Sequence, residues 1–401
     1  MGQRGLIKII NGKIITPSGI KNNAVLYLQD GRIDTISQSV EDTDGGITID
    51  AGGKYVSPGF IDIHLHGGGN FDFMDNDAEG YRTIAKVHAQ HGTTSMTPTT
   101  LSAGGKDLLE TLSIYEQVLE QGTGGADFIG IHIEGPYFAM SQKGAQDPRY
   151  IRNPDANEYK EILASSKHIA RWSAAPELPG ALEFARYISS KNVLPAIAHT
   201  EAVYEDVEKA FEAGYTLVTH LYSAMLGVTR RNAYRYAGAV EAAYLIDELD
   251  VEVIGDGIHM PAPLLKLAYK IKGADRIALI TDAMRGATMP EGPSILGSKK
   301  DGLNVIIENG VAKLPDMTAF AGSVATTDRI VRNMIHLAQV PFYDAVKMAT
   351  DTPARIMKVN NRKGSIEKGK DADVIIFDEN INVSTTIVKG NIVYETNLIS
   401  V

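Results

Sequence analysis

Up to Ile49 the hydrophobic positions come in short runs, at Leu6 to Ile15, Ala24 to Leu28, Ile33 to Ser37 and Ile47 to Ile49. Between them stand Asn11-Gly12, Pro17-Ser18-Gly19, Asp30-Gly31 and Gly45-Gly46. Apolar runs broken by such turn pairs predict short antiparallel strands. The far end repeats the pattern, because Asp373 to Phe377, Thr386 to Val388 and Asn391 to Tyr394 are separated by Glu379-Asn380 and Lys389-Gly390. Neither set makes a convincing domain alone. The two ends are therefore expected to pair into one small β-sandwich domain, residues 1–55 with residues 358–401, flanking residues 56–357.

The middle follows a different rhythm. Apolar runs at Thr93 to Thr97, Phe128 to Ile133, Arg171 to Ala175, Val193 to Ala198, Thr216 to Thr219, Val251 to Ile254 and Ile277 to Thr281 predict strands. Helical stretches lie between them, among them Leu108 to Glu120, Ala181 to Ser190, Tyr204 to Ala213 and Pro263 to Lys270. With the strand that ends at His66 this makes about eight strand-helix units, the pattern of an α/β protein built as a (β/α)8 TIM barrel. A doubly wound open sheet is the alternative, weakened by the absence of a Gly-x-Gly-x-x-Gly turn after the first strand.

Within Phe60 to Gly69, apolar residues alternate with Asp62, His64 and His66, and a glycine run follows. Side chains of a strand alternate between faces, so the three polar groups share one face and the two imidazoles converge. The stretch reads as a metal-binding strand end, against a pair of satisfied core histidines. Glu134, His199, His220 and Asp282 end four further strand-like runs. In a barrel all carboxyl ends form one rim, which would gather these four with His64 and His66 around a common centre. Four of the chain's 10 histidines fall in this set, so chance placement explains it poorly.

Composition sharpens that picture. The chain has 401 residues, 44% of them hydrophobic and 22% charged, with a net charge of -10. Such a balance suits a soluble enzyme and disfavours general nucleic-acid binding, so an anionic ligand would need a local basic pocket. With 0 Cys, thiolate ligands and a cysteine nucleophile are excluded, and any metal must be held by histidine and carboxylate. No apolar run is long enough for a bilayer and the N-terminus lacks a signal-peptide pattern, so a cytoplasmic location without a membrane partner is expected. Nitrogen and oxygen donors suit a divalent transition metal, Zn2+ first and Fe2+ second, with Mn2+ and Co2+ open. Six candidate ligands exceed the need of one tetrahedral ion. Two ions bridged by Glu134 fit, as does one ion with the spare histidines left for substrate.

The motifs Pro58 to Gly67, His132-Ile133-Glu134-Gly135-Pro136-Tyr137, Ala175-Pro176-Glu177, Ala198-His199-Thr200, Thr219 to Met225, Gly255 to His259, Thr281-Asp282-Ala283 and Ala321-Gly322-Ser323 occur in this order. In order and spacing the chain resembles the amidohydrolase superfamily, and within it the family of N-acetylglucosamine-6-phosphate deacetylases. The resemblance implies Glu134, His199 and His220 as ligands of the main metal, with His64 and His66 available for a second. On such a site Asp282 is expected to act as general base and then general acid. An amino-sugar phosphate is the implied substrate and a homodimer the implied assembly.

Substrate recognition is where the chain departs from the family. Ser223 stands in place of a usual Asn, although Ala224 still offers a backbone N–H to a phosphate. Gly144-Ala145-Gln146 replaces Gly-Ala-His. Gln146 can donate to a substrate carbonyl but cannot carry charge. Arg231 best matches the phosphate-binding arginine that reaches across the dimer, with Arg230 and Arg235 as neighbours, and His259 matches a substrate-contacting histidine. His88, His91, His168 and His336 read as structural, and His132 as support for Glu134. Two competing functions stay open: a deacetylase of the galactosamine epimer, and a non-catalytic scaffold, against which the retention of every ligand position argues.

Overall fold

The computed structural model describes residues 5–38 and 45–396; the outermost ends of the chain and the stretch 39–44 lie outside the described residues. Both ends of the chain enter one mixed sheet. Its strands run in the order Asn391–Glu395, Val383–Val388, Val374–Phe377, Tyr55–Pro58, Leu6–Thr16, Gly19–Gln29, Arg32–Ser37, and Ile47–Asp50 adds to Leu6–Thr16. The register explains why neither end folds alone. Val374 to Phe377 pair antiparallel with Tyr55 to Pro58, while Lys13 and Ile14 pair parallel with Tyr55 and Val56. Ile7, Ile9, Ile14, Leu26, Val56, Val374, Ile376 and Ile387 then close one apolar cluster from both termini.

The sheet is tied to the rest of the chain by charge as well as by apolar contact. Lys363 is buried, and its Nζ lies 2.5 Å from Asp373, 3.1 Å from Asp127 and 3.3 Å from Asp371. A buried ammonium is stable only with such carboxylates around it, so this cluster clamps the terminal sheet to the strand Asp127–Phe128.

The middle of the chain forms two parallel sheets. One has three strands, with Thr93–Pro98 between Phe60–Leu65 and Asp127–Phe128; the other runs Ile131–Glu134, Ile169–Ala174, Leu194–Ile197, Leu217–Val218, Asp250–Ile254 and Ile277–Ile280. Bonds between the sheets join their edges, from Thr100 N to the His132 carbonyl at 3.0 Å and from Asp282 N to the His64 carbonyl at 2.9 Å. Amphipathic helices cover them. Ala181–Ser190 buries Ala181, Phe184, Ala185 and Ile188, one stripe at helical spacing. Helix Ala156–Ser165 starts where the Asp155 carboxylate accepts from Asn157 and Glu158 N–H. Among the described residues no helix is long and apolar enough to cross a membrane.

Three local features differ from the sequence reading. The expected strand from Phe128 to Ile133 breaks at Ile129-Gly130, because Gly130 takes φ +133° and lies so close to Ala170 that a Cβ there would stand 2.3 Å from its Cβ. A four-stranded antiparallel sheet of Gly292–Leu296, Leu303–Glu308, Val311–Lys313 and Phe320–Ser323 stands between the last parallel strand and the helix Thr327–His336. An exposed hairpin of Thr229–Arg231 and Tyr234–Tyr236 carries all three candidate arginines.

Candidate metal centre and substrate cavity

The carboxyl ends of the parallel strands bring six predicted residues together. Glu134 closes its strand and is 1% exposed. Its Oε1 lies 3.1 Å from His220 Nε2, 3.4 Å from His199 Nε2 and 3.5 Å from His64 Nε2; its Oε2 lies 3.4 Å from His66 Nε2. Asp282 Oδ1 is 3.2 Å from His66 Nε2 and 3.5 Å from His64 Nε2. His199, His220 and Asp282 each take a left-handed backbone, with φ of 47°, 30° and 49°. A non-glycine residue held there is strained, and such strain gathers at sites where the chain must leave a strand sharply to aim a side chain.

Outer partners decide which ring nitrogen faces the centre. His199 Nδ1 lies 2.8 Å from the Gln142 carbonyl and His66 Nδ1 3.3 Å from the Thr99 carbonyl. A carbonyl only accepts, so each Nδ1 carries a proton, and in the neutral ring each Nε2 then turns its lone pair inward. His64 Nδ1 lies 3.1 Å from Glu252, itself paired with the buried Arg171, whose other nitrogen donates to Thr219 at 2.8 Å. His64 Nε2 is buried and has no hydrogen-bond partner among the described residues. Ligand atoms of two triads, His64, His66, Glu134 and Glu134, His199, His220, lie within 4.8 Å of one another and share the one carboxylate.

The charges explain what such a centre would hold. Burial alone would lower the His64 pKa, but Glu134, Glu252 and Asp282 outweigh it and push the ring up to about 10. Burial would likewise raise the carboxyls of Glu134 and Asp282; the imidazoles outweigh it and hold Glu134 well below, and Asp282 below, the ordinary range. The cluster is therefore a buried negative site that draws in positive charge. With inward lone pairs and shared carboxylate oxygens, these residues fit a divalent cation.

A cavity of about 530 Å3 opens over the cluster, within the size range of small-molecule sites. Ala145, Gln146, Ser223, Ala224 and His259 line it, with Thr318 and Phe320 from the four-stranded insertion. His259 Nδ1 is held 2.7 Å from Asp256, and its ring packs 4.6 Å from Phe320. Gln146 faces the cavity wall, but its amide is occupied by Glu134 and by Ser102 N, each at 2.8 Å. Arg230, Arg231 and Arg235 are exposed on the hairpin and do not line the cavity of their own chain; Arg231 lies over the Tyr236 ring at 5.5 Å.

Asp62 stays outside the cluster and accepts from Thr281 Oγ1 at 2.5 Å, tying the first parallel strand to the last. His132 packs edge-on to His64 and lies 2.7 Å from Ser173 Oγ, a supporting place. His88, buried under Gly67, lies 2.9 Å from its carbonyl. Sequence reasoning missed Glu252 and Arg171 as supports; a charged residue inside the apolar run Val251-Glu252-Val253 was the available signal.

Residues 55–393 match the family model described as Amidohydrolase family. The chain is 34% identical over 397 residues to an N-acetylglucosamine-6-phosphate deacetylase of Lysinibacillus sphaericus, covering 97% of this chain and 98% of the relative. It is 32% identical over 384 residues to an N-acetylgalactosamine-6-phosphate deacetylase of Escherichia coli O157:H7, covering 95% and 97%. A mutant N-acetyl-D-glucosamine-6-phosphate deacetylase from Mycobacterium smegmatis, solved in complex with N-acetyl-D-glucosamine-6-phosphate, superposes with a TM-score of 0.88 at 28% identity, covering 98% of this chain and 100% of that one. A family match over most of the length, on a chain whose candidate ligand triads stand at its strand ends, places this protein in the amidohydrolase family.

Proposed function

We propose that this protein hydrolyses the acetamide of N-acetyl-D-glucosamine 6-phosphate, releasing D-glucosamine 6-phosphate and acetate. The observation that carries the reading is the Glu134 carboxylate shared by two imidazole pairs, with Asp282 beside them under an open cavity. Relatives named for this activity match nearly the whole chain. We read the two parallel sheets as one (β/α)8 barrel over residues 56–357, with the termini as its β-sandwich domain and the cytoplasm as its location.

Glu134, His199 and His220 would hold the main ion, Zn2+ before Fe2+, and His64 and His66 with the same carboxylate a second. Such an ion supplies a Lewis acid for the amide carbonyl and makes water acidic enough to lose a proton near neutral pH. Asp282 takes the proton of the attacking water and delivers it to the amine nitrogen, so that a C–O bond forms at the acetyl carbon as the C–N bond breaks. Ala145, Ser223, Ala224 and His259 orient the sugar phosphate. The Ala224 N–H donates to no protein group among the described residues and stands ready for a phosphate oxygen. Arg231 would serve the cavity of a second copy in a homodimer.

The galactosamine epimer is the second reading, favoured by the Escherichia coli relative and by Ser223. Acetate release from both phosphorylated epimers, measured beside the metal content of the purified protein, tests both. No turnover of either epimer by metal-loaded protein ends the proposal, and the faster epimer decides between the readings.

A further inference from the structure

The segment from Gln142 to Gln146 touches both halves of the metal centre. The Gln142 carbonyl fixes the ring of His199, and a Cβ on Gly144 would lie 3.5 Å from His199 Cε1. At its end stands Gln146, 4% exposed. Its Oε1 accepts from the Ser102 backbone N–H at 2.8 Å, and its Nε2 donates to Glu134 Oε2 at 2.8 Å. The direction of the amide follows from chemistry. A backbone N–H only donates, so the oxygen must face Ser102 and the NH2 group must face the carboxylate.

That bond acts on the carboxylate both triads share. Glu134 Oε1 faces His64, His199 and His220, whereas Oε2 faces His66 and Gln146. Without a donor on Oε2, the carboxylate could turn about its last bond and lose this division of its oxygens. An oxygen with two lone pairs can accept from Gln146 and still ligate an ion. We infer that Gln146 is a positioning residue that holds Glu134 with Oε1 toward His64, His199 and His220 and Oε2 toward His66, and that it acts on metal affinity rather than on the substrate. The inference rests on the metal-dependent reading above.

Gln146→Met keeps the length of the side chain and removes both amide atoms. Gln146→Asn keeps the amide but is one methylene too short to span Ser102 and Glu134, and being smaller it is readily accommodated beside the cavity. Competition with a chelator for Zn2+, followed by kcat and KM at saturating Zn2+, separates the roles. We expect Zn2+ affinity about 10- to 100-fold weaker in both variants, the usual effect of losing an outer partner of a ligand, with KM at saturating metal unchanged. Unchanged affinity in both variants overturns the inference, whether KM rises, as for a substrate contact, or stays the same. If wild-type protein itself binds no Zn2+, Fe2+, Mn2+ or Co2+, the deacetylase reading fails, and with it this one. Tight wild-type binding with equal binding by both variants removes Gln146 alone.

Discussion

At the strand ends, Glu134 is 1% exposed and each of its oxygens has buried partners, whereas on the Thr229–Tyr236 hairpin Arg230, Arg231 and Arg235 stand in solvent and Tyr234 is 73% exposed. The two regions hold opposite charge under opposite conditions. Burying carboxylates and imidazoles carries a desolvation cost that partners offset, which is the part played by the outer ring of Gln142, Thr99, Glu252 and Gln146. Arginines in water need no such ring and contribute little until an anion or a partner desolvates them. The two candidate triads are thus built within one chain, whereas the three hairpin arginines stand outside the cavity of that chain.

The most severe way to break the buried half is to remove the shared carboxylate. Glu134→Gln replaces an acceptor with a donor among inward-facing imidazoles, and His199→Ala removes one of them. Both variants are expected to lose bound metal and to fall to background activity, while Arg231→Ala keeps its metal in the same elemental analysis. Full occupancy in the first two would mean that the ligands are others.

Asp282→Asn probes the chemistry without the ligands. Metal and substrate binding should survive, and turnover should drop by about 10^2- to 10^4-fold, the usual contribution of a positioned proton carrier. A variant that still turns over at nearly the wild-type rate would strip Asp282 of its role.

The buried half was legible in the sequence because its rule is one-dimensional: a polar residue alternating along a strand, or closing it, must face the rim. His64, His66, Glu134, His199, His220 and Asp282 all satisfied it. Their supports did not, since Gln142 and Thr99 act through main-chain carbonyls that any residue would supply, and Gln146 acts through Ser102, which lies 44 positions away. The hairpin was hidden for a different reason. Its turn places Asn232 and Ala233 at φ 49° and 70°, and an alanine in the left-handed region breaks the Asn-Gly signal by which such turns are recognised. The four-stranded insertion was missed because its strands are short and its turns dense.

Acid should separate the regions next. Burial pushes His88 down to about 4 from the ordinary 6.5, so the folded protein keeps this ring neutral where the unfolded chain protonates it. Between those two values the unfolded state binds the extra proton. Stability must therefore fall as pH falls through that window, by roughly 3 kcal/mol in all, and be fully present above it. His88→Gln can still donate to the Gly67 carbonyl and removes the titration, so its urea midpoint should drop less than the wild-type midpoint between the two pH values. Arg231→Ala should follow the wild type, and equal drops in His88→Gln and wild type would place the acid sensitivity elsewhere.

The smallest expected effect is the one that sharpens the comparison most. If Arg231 completes the cavity of a second copy, Arg231→Ala should reduce the rate on the phosphorylated sugar relative to neutral N-acetylglucosamine. A guanidinium-phosphate contact shielded from water contributes roughly 2 to 3 kcal/mol, hence about a 30- to 150-fold change in that ratio. Dilution of the wild type until it dissociates should change the ratio in the same direction, because the arginine arrives with the partner. An effect of Arg230→Ala or Arg235→Ala with none from Arg231→Ala would move the contact to the other face of the hairpin; register places Arg230 opposite Arg235 and Arg231 opposite Tyr234, so Arg230 and Arg235 share one face and Arg231 points to the other. If none of the three alters the ratio, the cation must come from the cavity wall itself. Lys143 is the sole Lys or Arg among the residues lining it, with its Nζ 3.3 Å from the Gly144 carbonyl and no carboxylate in ion-pair range among the described residues. An unchanged ratio in the hairpin variants with a collapsed ratio in Lys143→Ala would make anion selectivity, like the hydrolytic centre, a property of the single chain.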